Sequence, residues 1–237
     1  MKILGLDSSG LVASIAVVED TELLGEYTIN YKKTHSQTLL PMLDEVAKMI
    51  ELDLESIDAI AVAGGPGSFT GLRIGSATAK GLGFALQKPL VHVPTVDALA
   101  YNLAGCKDMV CPLMDARRNQ TYTGLYTFEG NQMNVLVEQC AVGIEEILEK
   151  INEQKKSVVF LGDGVPVFTP FIEKLCKVDY TVALAHMNKQ RAATVAVLGM
   201  QLIKNGKFET AAEHRPEYLR LSQAERELKE RNAMKEC

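Results

Sequence analysis

The chain has 237 residues, 47% of them hydrophobic and 23% charged, with 18 glycines and 8 prolines. That composition excludes fibrous, linker-like and disordered classes, and the length suffices to bury a core in one large domain or two smaller lobes without disulfide or metal staples. The net charge of −5 is unevenly placed: residues 1–104 hold 7 basic and 12 acidic side chains, and residues 105–237 hold 18 of each. The basic footprint of an autonomous nucleic-acid binder is therefore missing.

Residues 2–7, 11–18 and 22–31 read as three strands joined by connections so short that they must be antiparallel hairpins. The period then changes. From Ser36 to Glu51 the apolar residues fall on one helical face, with Pro41 expected in or near the first turn. A strand at 58–63, a helix at 68–86, a strand at 90–93 and a helix near 95–104 follow. This order predicts a ribonuclease-H-like α/β lobe, with an antiparallel edge and a parallel centre.

The second half repeats the pattern, with strands at 109–115, 120–128 and 133–139, helix 144–153, strand 157–161, helix 166–177 and a long helix at 188–204. Two such lobes, 1–104 and 105–237, make the fold class α/β, a two-lobed actin-like ATPase architecture in which each lobe is a mixed sheet flanked by helices. Helix 188–204 is expected to return to lobe one. The tail 222–235 carries i,i+4 pairs such as Glu225 with Lys229 and reads as a solvated or partner-packed helix.

The five cysteines, Cys106, Cys111, Cys140, Cys176 and Cys237, have no CxxC spacing and read as reduced thiols. The strand at the start of the chain lacks a leader's regions, and no apolar run reaches a membrane span, so a cytoplasmic protein is expected. The four histidines, His35, His92, His186 and His214, show none of the short metal-binding spacings, and no GxSxG elbow is present. We therefore expect no histidine metal site and no catalytic residue.

Asp7-Ser8-Ser9-Gly10 reads as a plain hairpin turn or, as likeness to the actin-like superfamily implies, as a phosphate-approaching loop whose Asp orients a metal-bound water. Gly162-Asp163-Gly164 reads likewise as a strand exit or an adenosine contact. Asp7, Ser8, Gly162 and Gly164 are thus the nucleotide candidates. The run Gly64-Gly65-Pro66-Gly67-Ser68 leads into the 68–86 helix, where Ser68 can cap a helix end able to hold an anion. It fits neither a Walker loop nor a dinucleotide fingerprint.

Within that helix Gly71, Gly75, Ala79 and Gly83 recur every fourth residue. The stripe lets the helix lie tight on its own sheet, or lets a second helix pack against it backbone to backbone. The 36–51 helix is wide in apolar residues, including Leu39, Leu40, Met42 and Leu43. Those four and the small-residue stripe are the expected partner surface.

The segments ILGLDSS (3–9), HSQTLLPMLDE (35–45), GGPGSFTGLRIGSATAKGLGFAL (64–86), DAR (115–117) and PEYLR (216–220) together resemble the TsaB (YeaZ) family along nearly the whole chain. The resemblance implies a required, non-catalytic partner of the TsaD-type transferase, which forms N6-threonylcarbamoyladenosine next to the anticodon of tRNAs reading codons that begin with A. A TsaE-type ATPase works beside them. The family's transferase relatives carry two metal-binding histidines four residues apart. Thr95 and Leu99 stand at those positions here, which implies that the catalytic metal is not held.

The further expectations are a homodimer in isolation, no strong direct tRNA binding, no membrane association, and no intrinsic cofactor, with ATP or ADP admitted at the partner interface. An autonomous actin-like kinase or ATPase relying on Asp7 is the alternative, and a peptidase a more distant one.

Overall fold

The computed structural model describes residues 1–31 and 35–220. The expected tail helix at 222–235 lies outside them. The first sheet contains β1 (Lys2–Asp7), β2 (Ala13–Glu19), β3 (Glu22–Ile29), β4 (Ala59–Gly65) and β5 (Leu90–Pro94) in the order β3-β2-β1-β4-β5. β1 runs antiparallel to β2 and parallel to β4, and β5 is parallel to β4. The second sheet contains β6 (Met109–Asp115), β7 (Gln120–Glu129), β8 (Gln132–Gly143), β9 (Val158–Leu161) and β10 (Tyr180–Val182) in the order β10-β9-β6-β7-β8. It repeats the same scheme, antiparallel from β6 to β8 and parallel from β6 to β10.

Alternation within β1 explains how the first sheet is covered on both faces. Leu4 and Leu6 join Ile15, Val17, Ile60 and Val62 against α1 (His35–Met49) and α2 (Phe69–Leu86). Ile3 joins Ala61, Val91 and Val93 on the opposite face, against α3 (Thr95–Tyr101) and α6 (Ala192–Lys204). α6 comes very close to the sheet. A Cβ on Gly5 would overlap the Ala192 carbonyl, and a Cβ on Gly199 would lie 2.5 Å from the Ala61 Cβ. The Ser14 hydroxyl accepts the Ala192 N–H at 2.9 Å and fixes the start of this helix.

The second sheet packs Met109, Cys111, Leu113 and Phe160 against α4 (Ile144–Gln154) and α5 (Val165–Leu175). Its other face meets Val96, Leu99 and Ala100 of α3. α3 therefore lies between the sheets, and six of its seven residues are buried.

Among the differences from the sequence expectations, two concern α1 and α6. Pro41 stands in the second turn of α1, because the helix already begins at His35; its ring faces solvent, where the missing N–H is tolerated best. α6 begins at Ala192, four residues later than expected. Asn188 is used instead to accept the Gly162 N–H at 2.6 Å. Among the described residues no helix is long and apolar enough to cross a membrane.

Candidate functional site

The β1–β2 turn lies directly on the first turn of α2. Asp7 is 1% exposed, and its Oδ1 accepts the Ser9 N–H at 2.8 Å and the Ser9 hydroxyl at 2.7 Å. The Ser8 hydroxyl donates to the Gly71 carbonyl at 2.8 Å, and the Ser9 carbonyl accepts the Ser68 N–H at 2.7 Å. Side chains at Gly67 or Gly71 would overlap the Ser9 and Ser8 carbonyls. Ser68 caps α2 through Gly71.

Gly162 and Gly164 are used in the same way. Both lie on the Leu113 carbonyl, which accepts the Gly164 N–H at 2.8 Å. The segment carrying Asn188 and Gln190 touches both turns, through Gly162 on one side and Gly10 on the other. Burial pushes the Asp163 carboxyl up, against the pull of Lys189.

The structure corrects the expected partner surface. Leu39, Met42 and Leu43 are buried in the core between α1 and the first sheet, and of the four α1 candidates only Leu40 faces out. Gly71, Gly75, Ala79 and Gly83 are buried as well. A Cβ on Gly75 would lie 2.6 Å from Ser8 Oγ, and one on Gly83 would overlap Leu90 and crowd Ala211. The stripe therefore serves close packing inside the chain. A second set of small residues at the same spacing, Ala77, Gly81 and Ala85, lies on the exposed face, and a Cβ on Gly81 would meet nothing within 4 Å. Leu40 and Met49 of α1 and Phe84 of α2 are exposed as well.

The fold brings together a histidine cluster that chain spacing does not show. His92 on β5 lies beside Glu209 and His214, and one ligand atom from each falls within 4.8 Å of the others. Gly64 leaves room for the His92 ring, which any side chain there would overlap. Burial, and next the neighbouring His214, lower the His92 pKa from its ordinary value. More than a hundred residues separate His92 from its neighbours in this cluster, so no local motif reveals it. At the two positions that the family resemblance matches to the transferase histidines, the Thr95 hydroxyl accepts the Gly65 N–H at 3.1 Å and Leu99 lies in the apolar core. That pair does not fit a metal ion, since Leu99 has no ligating atom and the Thr95 oxygen is already engaged.

Residues 22–228 match the family described as TsaD: tRNA N6-adenosine threonylcarbamoyltransferase. The tRNA threonylcarbamoyladenosine biosynthesis protein TsaB of Bacillus subtilis is 32% identical over 227 residues, covering 95% of this chain and 96% of the relative. The chain belongs to the TsaB family. The TsaB protein of Escherichia coli is 29% identical over 167 residues, 69% of this chain and 72% of that one.

Among solved structures, YeaZ from Pseudomonas aeruginosa superposes with a TM-score of 0.78 at 26% identity, covering 92% of this chain and 99% of its own. Another structure, of a protein described as similar to peptidase YeaZ, gives 0.79 at the same identity and coverage. The Arthrobacter polyphosphate/ATP-glucomannokinase, at 0.51 and 11% identity with 86% and 99% covered, shares the fold alone. The two-sheet layout is an actin-like fold.

In this TsaB family member the two polar motifs near the chain's middle and end come together. Arg117, Arg118 and Asn119 all have left-handed backbone conformations. The Asp115 carboxylate accepts the Arg117 N–H at 2.7 Å. The Arg220 guanidinium donates to the carbonyls of Ala116 and Arg117 and so holds the turn. Next to it, Tyr218 stacks on Phe69 at 4.5 Å, and Arg73 lies 4.0 Å over the same Phe69 ring. The segment 214–220 thus ties the start of α2 to the β6–β7 turn.

Proposed function

We propose that this protein is a non-catalytic partner and activator of a TsaD-type transferase in the formation of N6-threonylcarbamoyladenosine on tRNA, in the cytoplasm, with a TsaE-type ATPase as a further partner. The observation carrying the reading is the near full-length match to TsaB proteins, joined to a transferase histidine pair replaced by Thr95 and Leu99. The outward face of α1 and α2, with Leu40, Met49, Ala77, Gly81, Phe84 and Ala85, is the proposed contact with the transferase, and with a second copy when the chain is alone. Small residues let helix backbones approach closely, and the exposed apolar side chains supply the area to be buried. The place for ATP or ADP is where the two proteins meet. Direct tRNA binding falls to other components, in keeping with the acidic excess of residues 1–104.

The test is reconstitution. Threonylcarbamoyl transfer to tRNA is measured with the transferase, the ATPase and the enzyme supplying the activated threonylcarbamoyl group, with and without this chain. Transfer should fall steeply when the chain is omitted. Full transfer without it, or ATP turnover by the chain alone that is lost in Asp7→Ala, would overturn the reading.

A further inference from the structure

The most informative group outside the elements used so far is the cluster at the edge of the first sheet. We propose that His92, His214 and Glu209 form a binding site for a divalent transition-metal ion of the zinc class, which clasps the 209–217 segment to β4 and β5. This inference rests on geometry and stands apart from the proposed role with the transferase.

Several independent observations converge on it. One ligand atom from each of the three residues lies within 4.8 Å of the others. The His214 side chain is fully buried. Its Nδ1 pairs with Glu209 Oε1 at 2.7 Å, while its Nε2 has no hydrogen-bond partner among the described residues. A buried ring nitrogen without a partner is costly, and metal coordination is one way to satisfy it. A carboxylate on Nδ1 lies on the ring edge away from Nε2, so Glu209 releases that bond when it turns to join an ion held on Nε2.

The segment is already anchored on both sides of the cluster. Leu90 and Glu209 exchange two backbone hydrogen bonds of 2.9 Å, and the Glu217 N–H donates to the Gly64 carbonyl at 2.7 Å. Between these anchors the His214 N–H donates to the Thr210 carbonyl at 3.1 Å, a bond within the segment itself. Glu217 Oε2 lies 3.9 Å from His92 Nε2, and Gln139 donates to the same oxygen at 3.0 Å. The nearby Lys80 ammonium is turned to the carbonyls of Ala212 and His214, not to the ligand atoms.

Two imidazoles with a carboxylate suit zinc and its neighbours, whereas magnesium and calcium prefer oxygen alone. Bonds of about 2.0–2.2 Å in a tetrahedron place ligand atoms roughly 3.4 Å apart, so the three side chains re-aim on binding. His92 and Glu209 are partly exposed and have room to turn, and they give the ion its path in.

The experiment uses the full chain stripped with a chelator. Zn²⁺ is titrated calorimetrically, and Co²⁺ is used as a spectroscopic probe. One ion per chain is expected, with the cobalt bands of tetrahedral nitrogen and oxygen coordination and no thiolate charge transfer. His92→Asn and Glu209→Gln, with folding checked by circular dichroism, should each weaken Zn²⁺ binding by at least about tenfold. Hydrogen exchange across 209–217 should slow when zinc is added to the unmodified chain. The proposal is overturned if the folded chain binds no ion, if cobalt shows thiolate coordination, or if both folded variants bind as tightly as the original. Should either variant fail to fold, the cobalt spectrum of the unmodified chain decides the matter by itself.

Discussion

Gly81→Leu separates the two faces of α2. At Gly81 a new Cβ meets nothing within 4 Å, so the isolated chain gains only the difference in helix propensity, about 0.5–1 kcal/mol. For a chain of this size that is a rise in melting temperature of roughly 1–4 °C, read at concentrations low enough to keep the protein monomeric. In the complex the same side chain intrudes on the proposed contact. Overpacking of about 1–3 kcal/mol weakens the transferase affinity by roughly 5- to 150-fold.

Gly75→Leu should behave in the opposite way. Its Cβ would lie 2.6 Å from Ser8 Oγ and 3.7 Å from Val62 Cγ2, so the isolated chain loses stability by about 1–3 kcal/mol before any partner is added. Thermal unfolding, sedimentation and a titration with the transferase are the assays. Unchanged transferase affinity in a folded Gly81→Leu chain, or a loss of monomer stability at that position, would refute the assignment of the outward face.

Two further predictions concern buried titratable groups. Burial raises the Asp97 carboxyl pKa above its ordinary value, although the Tyr126 hydroxyl, donating at 2.7 Å, pulls it back. The folded state then holds the proton more tightly than the unfolded one, so this group's contribution falls as pH rises from about 3.8 through the raised value. Asp97→Asn should remove that decline, seen as a flatter dependence of the urea midpoint on pH; an unchanged slope would count against the burial argument. Cys111 is fully buried, with its thiol pushed up to about 12, and should resist alkylation at pH 8 until the chain unfolds. Mass spectrometry of labelled peptides distinguishes it from the partly exposed Cys106, Cys140 and Cys176.

The architecture was legible because its signals are local. Hairpin connections, the change of apolar period after β3 and the Ser68 cap all act within a few residues, and β1 and β6 begin and end where the pattern places them. β10 escaped notice because all three of its residues are exposed and show no alternation. The direction of α2 was harder to read. It has two rows of small residues at the same spacing, and what decides between them is the Ser8 carbonyl, more than sixty positions away in the chain. The cluster around His92 was hidden for the same reason, since its members meet only after β5 and the 209–217 segment have paired.

The return of α6 to the first sheet has a consequence during synthesis. β1 and β4 leave the ribosome early, but the helix covering their second face begins only at Ala192. At about 5–20 residues per second, the roughly one hundred residues after β5 take about 5–20 s to make. For that interval Ile3, Ala61, Val91 and Val93 lack the α6 part of their cover. The nascent chain thus has a period of vulnerability to misassociation and chaperone capture that the finished protein no longer shows.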